Sequence, residues 1–145
     1  MCKMQRLNTA QRPGQALVEF ALFIPILILL IAGAVDLGSG FQTWISLTNA
    51  AREGARLGAA TSDAAKICAR VNDELANDNI TIPCGNVTLS YPTISDGATD
   101  CTGVRAKRCP VRVQVTYVQT TLLGSILGFN AINISAFNDT IVITE

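Results

Sequence analysis

Gly14, Gln15 and Glu19 are the residues of this chain whose types and spacing set up chemistry. Glu19 interrupts an otherwise apolar run, "GQALVEFALFIPILILLIAGAVD", at residues 14–36. A lone ionised side chain at the centre of a bilayer costs about 2.5–3.5 kcal/mol on insertion scales, so the carboxylate calls for a partner. Cleavage between Gly14 and Gln15 would free an α-ammonium at residue 15. That cation lies four residues before Glu19, on the same helix face in its own chain, or can reach the Glu19 of a neighbour. With such a cut the chemistry would be peptide-bond cleavage followed by an ion pair.

The cysteines are the second chemical set. Cys2 stands in the basic head, while Cys68, Cys84, Cys101 and Cys109 follow the apolar run. Four cysteines in a small domain outside the cytoplasm read as two disulfides, with three connectivities open. The expected pairing is Cys68–Cys84, pinning a helix end to the first strand, and Cys101–Cys109, closing a turn-rich loop. Zinc is the weaker reading, because no C-x-x-C pair and no histidine is present. Without histidine there is no Ser–His or Cys–His nucleophile pair. Phosphate-cradling and dinucleotide glycine fingerprints are missing as well. The expectation is no catalytic residue, no metal, no cofactor and no small-molecule substrate.

Charge placement orients the chain. Residues 1–14 carry Lys3, Arg6 and Arg12 and no acid, so the remaining eight bases and eleven acids leave −3 elsewhere. That balance argues against a nucleic-acid partner. A basic head before an apolar run is a membrane signature with the N-terminus inside and the C-terminus outside. Leu17–Val35 as a helix measures about 28 Å against a hydrocarbon core of about 30 Å. Pro25 should loosen that helix near Ala21.

From Asp36 to about Asn79 the spacing stays helical. Phe41, Trp44, Ile45 and Thr48 form one stripe, continued by Ala51 and Ala55. Ala50, Gly54 and Gly58 form a small-residue line that admits a second backbone, from either the chain's own domain or another subunit. Arg52, Glu53 and Arg56 read as a solvated face with a local ion pair. Beyond Asn79 the period becomes two, at Ile80 and Ile82, at Val87, Leu89 and Tyr91, and at Val111, Val113, Val115 and Tyr117. Ile132, Ile134 and Ala136 are on even positions but Ile141 and Ile143 on odd ones, which predicts a bulge or turn at Asn138-Asp139. Residues 92–110 read as a long loop, and 122–128 as a short helical turn or an apolar plug. The expected class is α+β: a leader over 1–14, a transmembrane helix over 15–36, its continuation over 37–79, and a small antiparallel sheet domain over 80–145. Sequons at Asn79, Asn86, Asn133 and Asn138 are a weak signal in strands rich in Asn and Thr.

A basic leader ending in glycine, with Glu as the fifth residue after the cut and an aromatic behind it, resembles the type IV prepilin signature. Gly14, Glu19 and Phe20 match it. Gly14-Gln15-Ala16, Pro25, Asp36 and the block Asn49-Ala50-Ala51-Arg52-Glu53-Gly54-Ala55-Arg56 are more specifically similar to TadE-like pseudopilins of tight-adherence (Tad) pilus systems. The resemblance implies cleavage after Gly14 by a membrane prepilin peptidase and assembly with other pilin subunits by a pilus machine. It implies a pilin-like fold, residence in the cytoplasmic membrane before assembly, and a place in a surface pilus for adhesion or secretion afterwards. Glu19 and Phe20 are the assembly residues it implies. Two other readings remain: a single-span anchor displaying a binding domain, and a secreted protein cut at Ala32-Gly33-Ala34.

Overall fold

The computed structural model describes residues 13–95, 100–101, 103, 105–128 and 131–142. The basic head before Pro13, Cys2 and Ile143 lie outside them. Helix α1 runs from Pro13 to Ala60 without interruption, 48 residues and about 72 Å. Proline is tolerated in the first turn of a helix, where its missing N–H has no partner to lose. The helix continues through Pro25 and through Gly38 and Gly40.

The helix expected over 37–79 is two helices. Thr61-Ser62-Asp63 breaks it: the Asp63 N–H donates to Thr61 Oγ1 at 3.2 Å, and Asp63 Oδ1 accepts from the Ala65 and Lys66 amides. This is an N-cap, and it starts α2 at Ala64–Leu75. The cap's amides, with Lys66 close by, hold the Asp63 carboxyl below the ordinary aspartate value. Ile67, Cys68, Val71 and Leu75 make the buried face of α2, which folds back on α1. Asn79, with φ at 55°, ends the following turn.

Ile80 and Ile82 do not open a strand. The Asn72 side chain takes the place of a neighbouring strand: its Nδ2 donates to the Ile82 carbonyl at 3.0 Å and its Oδ1 accepts from the Ile82 amide at 2.9 Å. The sheet proper is antiparallel, in the order β1 (Val87–Ser90), β4 (Pro110–Gln119), β5 (Ile132–Ile141). A two-residue pairing of β2 (Ile94–Ser95) with β3 (Asp100–Cys101) sits in the loop between β1 and β4. Val111, Val113 and Val115 of the central strand are fully buried. The β4–β5 register runs from Pro110 opposite Ile141 to Gln119 opposite Ile132 with no slip, so the bulge expected at Asn138-Asp139 is absent. The core-facing parity stays even through Ala136 and on to Val142, while Phe137 and Ile141 point outward. Counting an apolar residue as a core residue produced the false switch.

The core is a seam between α1, α2 and the sheet, built from Leu47, Ala50, Ala51, Ala55, Ile67 and Val113 with their neighbours. Of the stripe read at Phe41, Trp44, Ile45 and Thr48 and continued by Ala51 and Ala55, the two alanines are buried while Phe41, Trp44 and Ile45 face out, with the Phe41 and Trp44 rings stacked at 6.0 Å. Thr43 and Leu47 lead the buried face in its place. The small-residue line lies under the chain's own domain: a Cβ on Gly54 would meet Val71 and Val113, and one on Gly58 would meet Val111 and Leu89. Disulfides join Cys68 to Cys84, with Cα atoms 5.5 Å apart, and Cys101 to Cys109, at 5.6 Å.

Candidate assembly site

α1 presents two surfaces in succession. Every residue from Gly14 to Ile31 is exposed on all sides, and no charge lies between Phe20 and Val35. The helix is long and apolar enough to cross a membrane, and none of its most apolar window is covered by protein. Gly14, Gln15, Glu19 and Phe20 occupy the first turns of this bare segment. Glu19 is exposed, with no hydrogen bond or ion pair among the described residues. A helix apolar all round belongs in a bilayer or a bundle of like helices, and none of the described residues covers its most apolar window.

The bare segment ends at a clasp. α3, Leu122–Leu127, lies in the β4–β5 connection, and both its first amides donate to the Asp36 carboxylate on α1. Leu122 N–H reaches Asp36 Oδ1 and Leu123 N–H reaches Oδ2, each at 2.8 Å. Thr121 caps the same turn, its Oγ1 accepting from the Gly124 amide at 3.0 Å. Gly128, with φ at 84°, closes the other end. A Cβ on Gly33 would sit 3.5 Å from Leu123 Cδ1, so α3 rests on the last turns of the bare segment. Gln119 Nε2 adds a bond to Ser39 Oγ at 3.0 Å. Two open apolar grooves, about 550 and 580 Å³, flank the clasp; Leu37 and Ile132 line both, with Phe41 and Trp44 in one and Leu127 in the other.

Farther out, ion pairs tie the helices. Arg70 bonds Glu53 of α1 at 3.2 Å and Glu74 at 2.8 Å, and Arg56 stands 3.7 Å from Glu53. On the outer sheet face Arg112 grips Asp139 with two 2.7 Å hydrogen bonds and lies over the Phe137 ring. Among the described residues no cluster of three or more His, Cys, Asp or Glu could hold a metal ion.

The model of a family described as TadE-like protein matches residues 14–56, which takes in Gly14, Glu19, Asp36 and the Asn49–Arg56 block. Over that segment the chain is TadE-like. The similarity is to that family alone and covers the bare part of α1 and the first turns that carry the domain. The match ends four residues before α1 does and leaves the whole sheet outside it. No curated protein and no solved structure matches the chain.

The structure keeps the Gly14–Phe20 group apart from the clasp, along one helix. What the sequence did not disclose is the joint between Asp36 and Leu122. Its only local trace is a threonine before an uncharged Leu-Leu-Gly, an N-cap pattern, with an acid directly after the apolar run.

Proposed function

We propose that the TadE-like chain is a structural pilus subunit, cut after Gly14 by a prepilin peptidase and assembled with other pilin subunits for adhesion or secretion. Before assembly it crosses the cytoplasmic membrane once through Leu17–Val35, with the disulfide-linked sheet domain outside. The observation that carries the reading is an exposed helix, uncharged from Phe20 to Val35, bearing Gly14 and Glu19 at its start, within the matched segment.

In this reading Glu19 sets depth. A neutral residue there would enter the membrane more easily, so insertion is not its purpose. An amine freed at Gln15 attracts the carboxylate strongly at low dielectric, but only in register, whereas apolar faces alone slip. Gly14→Val should leave the precursor uncut, and N-terminal sequencing of the wild type should begin at Gln15. Glu19→Gln should be cut and membrane-bound yet fail to support a pilus. Wild-type fibre from Glu19→Gln, with processing verified, would refute the depth role. An N-terminus near Val35 would indicate a secreted protein, and an uncut mature chain a plain anchor.

A further inference from the structure

We propose that α3 is a lipid-contacting collar, its Leu122, Ile126 and Leu127 side chains immersed in the headgroup boundary of the leaflet from which α1 emerges. This rests on Leu17–Val35 being a membrane span. The first support is level. α3 is fastened to Gly33 and Asp36, and Gly33 lies about 3 Å below Val35 along the helix axis. The headgroup zone adds about 5–7 Å to each side of the hydrocarbon core. A helix joined to the last turn of the span cannot stand clear of that zone.

The second support is the face α3 turns outward. Leu123 and Gly124 face α1 and the domain, while Leu122, Ile126 and Leu127 are 58%, 73% and 58% exposed. Ile132, just beyond, is exposed too. Three large aliphatic side chains on the outside of a six-residue helix suit a lipid boundary and not bulk water.

Charge placement is the third support. Residues 37–51 and 113–138, which build the half of the domain nearest the span, contain no Asp, Glu, Lys or Arg. Asp36 is the exception, and both its oxygens are engaged by α3 amides. Asp78 shares a shallow groove with Ser39, Gln42, Thr43 and Ser46 of α1, none of them a residue of α3. At the opposite end the Arg105 guanidinium donates to the Ala59 carbonyl, and the Arg108 backbone amide donates to the Val142 carbonyl. The two segments that flank α3 are thus uncharged, and of the acids at this level Asp36 is tied to α3 itself while Asp78 stands beside Ser39 and Gln42.

The test uses the full chain in phosphatidylcholine–phosphatidylglycerol vesicles, with Trp44→Phe removing the single native tryptophan. Ile126→Trp reports on the collar, Leu27→Trp on the middle of the span and Lys66→Trp on an exposed position of α2. Leu122→Trp repeats the collar measurement at a second position. Burial 5–10 Å into the boundary should lower iodide quenching of Ile126→Trp at least about threefold below Lys66→Trp. Lipid with brominated acyl chains should quench Ile126→Trp as well. A quenched Leu27→Trp beside an iodide-accessible Ile126→Trp would overturn the collar and leave the span standing. Ile126→Trp shielded from iodide but untouched by bromolipid would mean that protein, such as a second copy, covers α3, which also overturns it. An unquenched Leu27→Trp would remove the span and the collar together.

Discussion

Gly54 and Gly58 occupy the same line of α1, and alanine should affect them in opposite directions. In a helix interior alanine is favoured over glycine by about 1 kcal/mol, so both changes begin with that gain. At Gly54 the new Cβ would lie 2.7 Å from Val71 Cγ2 and 3.1 Å from Val113 Cγ1. Carbon atoms pack at about 3.5–4.0 Å, so something must move by roughly an ångström. Both valines are fully buried and stiff about χ1, which makes that movement hard. Overpacking of this kind costs about 1–3 kcal/mol. Gly54→Ala should therefore be destabilising by about 0–2 kcal/mol net. At Gly58 the nearest atoms would be at 3.4, 3.5 and 3.6 Å, ordinary contacts, so Gly58→Ala keeps most of its gain. The two variants should differ by about 1–3 kcal/mol, roughly 5–20 °C in midpoint for a domain of this size.

Thermal unfolding of the full chain in detergent, followed by near-ultraviolet circular dichroism with disulfides intact, measures the difference. Val71→Ala, itself costly because it empties part of the core, should cost about 1–2 kcal/mol less in the Gly54→Ala background than in the wild type, a favourable coupling in a double-mutant cycle. Equal midpoints for the two alanine variants, or a more stable Gly54→Ala, would refute the seam as the place where the sheet and α2 close on α1.

Asp36→Ala should release the first turn of α3; losing about 1–1.5 kcal/mol at each amide would speed hydrogen exchange of Leu122 and Leu123 by roughly tenfold, and unchanged exchange would mean the clasp is not what holds α3. Non-reducing peptide mapping should return Cys68–Cys84 and Cys101–Cys109, and replacing Cys68 and Cys84 together by serine should remove about 3 kcal/mol, the loop closed there being 16 residues. The Arg112 hydrogen bonds hold the Asp139 carboxyl below its ordinary value of 3.8. The pair's contribution is accordingly present above the unfolded aspartate value and lost as pH falls through the lower folded one. Carboxyl NMR titration should show the depressed value in the wild type and its return to normal in Arg112→Gln, with only a small stability change because the pair is exposed.

The parts of the fold visible in the sequence are those decided by near neighbours. Val111, Val113 and Val115 alternate because the central strand buries one face completely, and the sequence carries that alternation undiluted. Edge strand β5 does not, since Phe137 and Ile141 are outward yet apolar, and parity alone misplaces them. Phe41 and Trp44 mislead in the same way: their spacing is that of a core stripe, while the buried face of α1 at that height is Thr43 and Leu47. Asn72 was invisible because a side chain standing in for a strand leaves no periodic trace. The bonds from α3 to Asp36 join residues 86 and 87 apart, beyond the reach of any local pattern. For the site itself, Gly14, Gln15 and Glu19 stand out because an isolated acid in an apolar run is costly wherever the run folds.

α1 solves two solvation problems with one uninterrupted helix. Up to Ile31 its surroundings are uniform, so its sequence needs no amphipathic period and shows none. Past Asp36 one side must admit a sheet and a second helix, and the residues there shrink to Ala50, Gly54, Ala55 and Gly58. The helix has no break between the two regimes, so axial movement of the span is transmitted directly to the domain. Each end of the span carries one carboxylate, Glu19 and Asp36, about 26 Å apart along the axis. Asp36 is satisfied within the chain by two amides of α3, while Glu19 has no partner among the described residues. In the proposed subunit the first fixes the domain to its own helix, and the second is left for the amine that cleavage creates. A shift of register at Glu19 would then move the collar by the same distance, out of or into the headgroup layer. In the proposed subunit depth would thus be set at both ends of one rod, by the α3 amides at Asp36 and, at Glu19, by an amine of the same chain or of a neighbour.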